Sequence, residues 1–362
     1  MKFTASKDLL VVGTQTVMKA VVAKATMPIL AGIRMEIDGD TLSFAATDLE
    51  IGITCSVAVS EVESNGVVVV VGRTFADAVK SLPDVPIEVE AIDNILMLRH
   101  GANEFAINCF RADEFPVLPT LEGDTIKLPT SVFKGLVKQA VVAAGKDENR
   151  PVFLGALITC ENGQLTIAAT DTHRMAVKTV PVAYDGSWKA LVPAKALSDI
   201  DRLLGDSEEL SITQSGTMAL FAFGSVTFTT RLIDGAFPDY KKVIPAAAKT
   251  KVTVNAKDLL GSVGRASIVG KEGTAIKFSF EEGLVKIDCA TDSGKINEQL
   301  NIAKAGEDIV IAFNPHYLAD ALKVVTSENI VVDLSGPLSP CVIRQEGEDN
   351  YLHLLLPVRV AA

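Results

Sequence analysis

The chain of 362 residues has only five cysteines, Cys55, Cys109, Cys160, Cys289 and Cys341, far apart and without a CxxC pair. Such an odd, dispersed set speaks against a zinc site and a disulfide scaffold, and it suits a reducing compartment. The four histidines, His100, His173, His316 and His353, stand singly. No metal and no cofactor are therefore expected. Long hydrophobic runs are missing as well. The longest aliphatic stretch, Val67–Val71, falls far short of the ~18–20 residues that a membrane helix needs. The first residues contain no apolar core of a signal peptide, so a soluble, cytoplasmic protein with no membrane partner is expected. Phosphate-loop, HExxH, GxSxG and GxGxxG motifs are absent. Basic residues are in deficit: 34 Lys+Arg against 45 Asp+Glu leave a net charge of −11, which ordinarily argues against nucleic acid as a partner.

What the chain does have is apolar content and repetition. An apolar fraction of 48% excludes a disordered chain, and the length suits two or three domains. Gly39–Asp48 is echoed by Gly163–Asp171, with Leu42/Phe44/Ala46 and Leu165/Ile167/Ala169 at alternate positions before the aspartate. That period of two marks a half-buried strand. Upstream, Met27–Ile33 matches Arg150–Ala156; downstream, Arg111–Pro116 matches Arg231–Pro238. The repeat is a whole domain.

A third copy has drifted further. Lys2, Lys127 and Lys251 open three similar units, which gives domains at 1–124, 125–249 and 250–362. In the third, Val285, Ile287 and Cys289 sit at odd offsets from Asp292. A slip of one residue turns every strand side chain over, so Thr291 aligns with Asp48 and the Phe-Pro turn has no counterpart. Each domain further divides into two halves. In the first these are a strand at 2–4, a helix at 7–21 and strands near 29–37, 41–47 and 51–59, then a strand at 66–71, a helix at 74–82 and strands near 86–91, 95–99 and 103–110. Helix positions follow the apolar spacings Phe75/Val79/Leu82, Val132/Leu136/Val137/Ala140, Leu197/Ile200/Leu204 and Leu318/Ala321/Leu322/Val325. The expected class is α+β: three tandem domains of two βαβββ halves, helices on one face of the sheet.

Charge separates along this plan. The segments read as helices (6–24, 73–82, 131–146, 193–204, 255–271 and 314–325) hold fourteen Lys/Arg and six Asp/Glu, a balance of +8, so the rest of the chain carries −19. Helices turned one way would offer phosphates a basic lining inside an acidic shell. Arg73, Lys134, Lys138, Lys195, Arg202, Lys257 and Arg265 are candidates for such contacts, as are Lys24 and Lys146. No base-reading element accompanies them, so binding would be to the backbone and independent of sequence. The bland alternative is a set of solvated helix faces. Asp171, His173 and Arg174 form the one chemically suggestive cluster, but no activated Ser or Cys accompanies His173 as a base. A structural or peptide-contact role is the better reading there.

Ala169–Val177, Arg231 with Phe237–Pro245, and Leu356–Arg359, joined by Met27–Leu30 and Ala46–Glu50, resemble the bacterial DNA polymerase III beta subunit family, the sliding clamps. The resemblance implies three clamp domains per chain and a head-to-tail homodimer closed as a six-domain ring around double-stranded DNA. It implies a non-catalytic processivity factor associated with the nucleoid. Its partners would be the catalytic subunit of DNA polymerase III, the clamp loader and other clamp-motif proteins: translesion polymerases, mismatch-repair factors and ligase. A partner-peptide pocket would use Thr170, His173, Arg174, Met175, Pro238, Lys242 and Val243 of the central domain. The C-terminal domain would add Tyr317, Pro340, Leu354, Leu355, Leu356, Pro357, Val358 and Arg359. Lys24 and Arg150 would touch DNA. Phe105 and Ile107 would meet Ile268 and Val269 across the subunit seam. A clamp-like scaffold that binds peptides without loading on DNA is the main alternative, and an enzyme built on His173 the next.

Overall fold

The computed structural model describes residues 1–24, 26–205, 208–270 and 274–359. The N-terminal repeat opens with β1 (Lys2–Ser6), α1 (Lys7–Val17), β2 (Gly32–Asp38), β3 (Thr41–Thr47) and β4 (Ile51–Ala58). After the edge strand β5 (Ser60–Ser64) come β6 (Gly66–Val71), α2 (Gly72–Ser81), β7 (Pro86–Ile92), β8 (Ile95–His100) and β9 (Asn103–Phe110). The central repeat has β10 (Thr125–Pro129), α3 (Thr130–Ala140), β11 (Gly155–Glu161), β12 (Gln164–Thr170) and β13 (Arg174–Pro181). Its second half has β14 (Trp188–Pro193), α4 (Ala194–Leu203), β15 (Glu209–Ser215), β16 (Met218–Phe223) and β17 (Val226–Arg231). The C-terminal repeat runs β18 (Thr250–Asn255), α5 (Ala256–Val269), β19 (Ile276–Glu281), β20 (Leu284–Thr291), β21 (Gly294–Asn301) and β22 (Ala303–Gly306). It finishes with β23 (Ile309–Phe313), α6 (Pro315–Lys323), β24 (Asn329–Leu334), β25 (Cys341–Gln345) and β26 (Tyr351–Leu355). Six βαβββ halves are thus present.

Local chemistry explains the ends. Ser6, Asn255 and Asn314 cap α1, α5 and α6, each side chain accepting from free backbone N–H groups of the first turn. The helix expected to reach Val21 stops at Val17 and tightens into a 3-10 turn, Met18–Ala20. The strand expected from residue 29 starts at Gly32, because Pro28 fixes a 3-10 turn over Pro28–Ala31. β5 and β22 were not foreseen: both are exposed edges without apolar alternation. Phe133 takes the inward place expected of Val132, and Val324 that of Val325. The helices lie on the sheets at close range. Gly13 of α1 rests on the Phe44 ring, where any side chain would collide.

The chain packs into two compact units, Met1–Thr130 with Asp199–Leu232, and Ser131–Ser198 with Ile233–Ala362. The central repeat is therefore divided between them. In the first unit one 13-stranded sheet has the order β10-β15-β16-β17-β4-β3-β2-β6-β9-β8-β7-β1-β5. In the second, a 9-stranded sheet runs β14-β11-β12-β13-β26-β25-β24-β18-β22, beside a 4-stranded sheet β21-β20-β19-β23. Both units contain the same joint. The last strand of one repeat pairs with the fourth strand of its neighbour: β17 with β4, and β26 with β13.

The third copy follows the shifted register. Val285, Ile287 and Cys289 are buried, and on their face the Thr291 hydroxyl donates to the Val269 carbonyl at 2.9 Å. Its hairpin pairs Thr291 with Gly294 and encloses two residues, whereas Thr170 pairs with Met175 around four. No room remains there for an Asp-Thr-His-Arg corner.

Candidate functional site

The corner between β12 and β13 is built by its own side chains. The Thr170 hydroxyl donates to the Arg174 carbonyl at 2.7 Å and accepts from the Thr172 N–H at 3.2 Å. Asp171 Oδ1 accepts the N–H groups of His173 and Arg174 at 2.9 and 3.0 Å. Thr172 is held at φ +80° as a result. The buried Arg174 guanidinium then donates to Asp171 Oδ2 at 3.0 Å and to Asp320 Oδ2 at 2.8 Å. It lies 4.5 Å above the Tyr317 ring, and the His173 ring stacks on the same tyrosine at 6.1 Å. A planar guanidinium can serve two carboxylates and one ring together, which lysine cannot. Removing it would strand Asp171 in a largely dry place.

β26 pairs with β13 so that Leu354 lies opposite Met175, and the chain continues as Leu356 N–H donates to the His173 carbonyl at 2.9 Å. Across from these, Phe237 is buried and Pro238–Tyr240 leads into a short 3-10 turn, Tyr240–Val243. Between the two walls opens a groove of about 590 Å³, counting its open mouth. Phe153, Thr170, Thr172, Arg174, Met175, Pro238, Asp239, Tyr240, Val243, Leu354 and Leu356 line it. Its surface is almost entirely carbon, while Val243 and Leu356 stay exposed at the rim. Such a lining accepts aliphatic or aromatic side chains and offers few polar anchors.

Beneath Leu354, on the opposite side of β26, His353 is wholly buried. Burial first and the Arg174 charge second pull its pKa down to about 3, against a smaller upward pull from Asp320. Burial also raises the Tyr351 phenol far above its usual range. The Tyr240 hydroxyl at the groove wall is raised as well, by burial and then by Glu161 and Asp239. Among the described residues no group of three His, Cys, Asp or Glu is placed to hold a metal, and all five cysteines are unpaired.

Of the residues expected in the pocket, Thr170, Arg174, Met175, Pro238, Val243, Leu354 and Leu356 line it. His173 and Tyr317 act beside it, against Arg174. Lys242 is turned to Asp239 Oδ2 at 3.0 Å. Leu355 does not line the groove. Strand alternation points it the other way, into the core of the C-terminal repeat, where it is 1% exposed. Val358 donates its N–H to the Ala312 carbonyl, Pro340 and Pro357 are half-buried, and Arg359 is exposed; none of the four lines the groove. Phe153, Thr172, Asp239 and Tyr240 were missed, although the matched Arg150–Ala156 and Phe237–Pro238 segments already pointed to the first and the last two.

The cationic candidates divide by what they already hold. Lys24, Lys138, Lys146, Lys195 and Lys257 are exposed, Lys134 is half-buried, and none makes an ion pair among the described residues. Lys24 and Lys146 lie past the helical turns that end at Ala20 and Ala143, and Lys271 of the charge count lies outside the described residues. The arginines are engaged. Arg73 pairs with Asp77, Arg202 with Asp199, and Arg150 with Asp147. Arg150 also donates to the Thr172 hydroxyl and lies over the Phe153 ring. Arg265 is held by both oxygens of Glu298, at 2.5 and 2.7 Å, which pulls the Glu298 carboxyl below its ordinary range. These pairs lower the charge that the arginines could offer to phosphate.

The residues expected at the seam also divide. Phe105 on β9 is 42% exposed and Ile268 on α5 is 81% exposed. Ile107 is buried in its own unit, and Val269 packs half-buried on the C-terminal core. Ile107 is thus covered within its own unit although it shares a face of β9 with Phe105, and Val269 keeps only part of its surface exposed.

Three family models of the DNA polymerase III beta subunit match in order along the chain: the N-terminal domain over residues 1–119, the central domain over 127–239 and the C-terminal domain over 241–359. The chain belongs to the DNA polymerase III beta subunit family. It is 35% identical to the beta sliding clamp of Bacillus subtilis strain 168, over 99% of this chain and 100% of that one. Against the crystal structure of the Bacillus subtilis DNA polymerase sliding clamp it has a TM-score of 0.95 at 34% identity, with both chains fully covered. The DNA polymerase III beta subunit of Thermotoga maritima is similar too, at 30% identity and TM-score 0.92, over 99% of this chain and all of that one. The groove described above thus belongs to a sliding-clamp chain, a class whose role is non-catalytic.

Proposed function

We propose that two copies of this chain close head to tail into a ring that holds duplex DNA by topology and tethers polymerase through the apolar groove. The observation that carries this is the repeated joint. Two of the three possible fourth-strand to last-strand pairings are made within the chain, β4 with β17 and β13 with β26. The third would join β21 to β9, and both have an open side. β21 is the outer strand of its sheet. β9 pairs with β8 along its length but with β6 only at Cys109 and Phe110. A second copy supplies the missing partner, and a heterologous contact of this kind closes when its rotation completes a circle. Unpaired lysines on or beside the helices would attract the phosphate backbone without reading bases.

The groove suits a short segment resembling Gln-Leu-x-Leu-Phe, as the resemblance to clamp partners suggests, with Leu and Phe entering the carbon-lined space. Its owners would be the catalytic subunit of DNA polymerase III, the clamp loader, translesion polymerases, mismatch-repair factors and ligase, in the cytoplasm and at the nucleoid. The test is retention: the chain, loaded on nicked circular DNA and washed in high salt, should stay bound and should slide off once the circle is linearised. Peptide binding without retention would make it a scaffold instead.

A further inference from the structure

The first unit builds the same corner as the groove, hydrogen bond for hydrogen bond. The Thr47 hydroxyl donates to the Ile51 carbonyl at 2.7 Å and accepts from the Leu49 N–H at 3.0 Å, as Thr170 does with Arg174 and Thr172. Asp48 Oδ1 accepts from the N–H groups of Glu50 and Ile51, as Asp171 Oδ1 does from His173 and Arg174. Leu49 has φ +76° and Thr172 has φ +80°. Beyond the corner, Gly52 pairs with Thr229 where Met175 pairs with Leu354. The Phe-Pro turn recurs too, which sets Leu118 at the place of Tyr240.

The side chains on this shared backbone differ: Leu49, Glu50, Ile51 and Gly52 stand where the groove has Thr172, His173, Arg174 and Met175. Position 52 has no side chain, and a Cβ there would lie 2.8 Å from Leu118 Cδ2 and 2.7 Å from Thr229 Oγ1. The Leu118 methyl groups therefore rest on the Gly52 backbone, over the strand joint that forms the floor of the open groove in the other unit. Leu118 itself is half-buried against the cluster of Ile29, Leu30, Ala45, Val69 and Phe115. Its neighbours Val117 and Pro119 are exposed, and no regular structure runs from Phe115 to Asp124. The leucine is held by side-chain contact, not by a backbone ladder.

We infer that Leu118 is a built-in occupant of a second, closed copy of the peptide groove, and that Gly52 and Leu118 restrict each chain to one open site. The ligand class that the second copy would take is the same, a short peptide with an apolar leucine or phenylalanine anchor. This rests on the reading of the open groove as a peptide site. Gly52 and Thr229 offer less apolar surface than Met175 and Leu354, so the second copy would bind more weakly.

Calorimetric titration with a Gln-Leu-x-Leu-Phe pentapeptide tests it. The wild type should take a single peptide per chain. Leu118→Ala should take two, the first with unchanged affinity, which also reports that the protein is folded. Gly52→Ala provides a second route, because the added carbon displaces Leu118 without removing its side chain. In Leu118→Ala combined with Met175→Asp, the weaker site alone should remain. Unchanged stoichiometry in both Leu118→Ala and Gly52→Ala overturns the inference. A wild type that takes no peptide overturns the underlying reading of the open groove instead.

Discussion

Replacing His353 by leucine should make the protein less sensitive to acid. The imidazole is fully buried on β26, its Nε2 has no hydrogen-bond partner among the described residues, and its Nδ1 lies 3.4 Å from the Tyr351 hydroxyl. Burial and then the Arg174 charge depress its pKa from 6.5 to about 3. In the unfolded chain the same group takes up its proton near pH 6.5. Between these two values the unfolded state binds more protons, so stability falls as pH falls. Above the unfolded pKa this proton-linked penalty is absent; below the folded pKa it is complete. At about 1.4 kcal/mol per unit, lowering the pH from 7 to 5 costs roughly 2 kcal/mol, and the whole window roughly 4–5 kcal/mol. Urea unfolding would measure it, followed by fluorescence of the single tryptophan, Trp188, which lies on the same 9-stranded sheet. The gap between wild type and His353→Leu should narrow, or reverse, by that amount from pH 7 to pH 5 with little change in m-value. A gap that stays constant over this range would refute the argument, since the imidazole would then be titrating alike in both states.

Three further outcomes follow from the seam, the cations and the groove. Phe105→Asp or Ile268→Asp should give monomers at micromolar concentration, because each exposed apolar group is worth ~1.5–3 kcal/mol when covered; an unaltered sedimentation mass would reject the seam. Val269→Ala is a poorer probe, since it also thins the core of its own repeat. Lys138→Ala with Lys146→Ala should flatten the dependence of log K on log salt by about two units, whereas Arg265→Ala, already neutralised by Glu298, should change it by well under one; a loss of about one full unit would place Arg265 at the DNA. Deleting Leu356–Ala362 should abolish binding of the pentapeptide while the dimer mass persists, since the loss of one groove wall typically costs ~2 kcal/mol or more; equal peptide affinity in the two proteins would rule out the groove.

Much of the fold is legible because strands and helices advertise their buried faces locally. Leu42/Phe44/Ala46 and Leu165/Ile167/Ala169 announce their strands by alternation, and all six are buried. Phe75, Val79 and Leu82 do the same for α2 at helical spacing. Errors fall where local signals compete. Pro28 turns an expected strand start into a 3-10 turn, and β5 and β22 pair at edges that need no apolar alternation. At the groove, the Thr170–Met175 corner and the Phe237–Pro238 turn are readable from their repetition. Leu355 was misplaced because a strand residue's facing depends on register against another strand, here β13.

By itself the sequence determined the repeat count, the six βαβββ halves, the shifted phase of the third copy and the excess of positive charge in the helical segments. These are periodic or compositional properties, set by neighbours close in the chain. Only the tertiary structure decided which cations stay unpaired among the described residues, that Ile107 is buried and Val269 half-buried, and that the central repeat is shared between two compact units through the β4·β17 and β13·β26 joints. It also decided that one copy of the corner is open while the other is filled by Leu118. Gly52 and Leu118 are 66 residues apart, and an empty position becomes a floor for another side chain only once strand pairing and the Phe-Pro turn bring the two together.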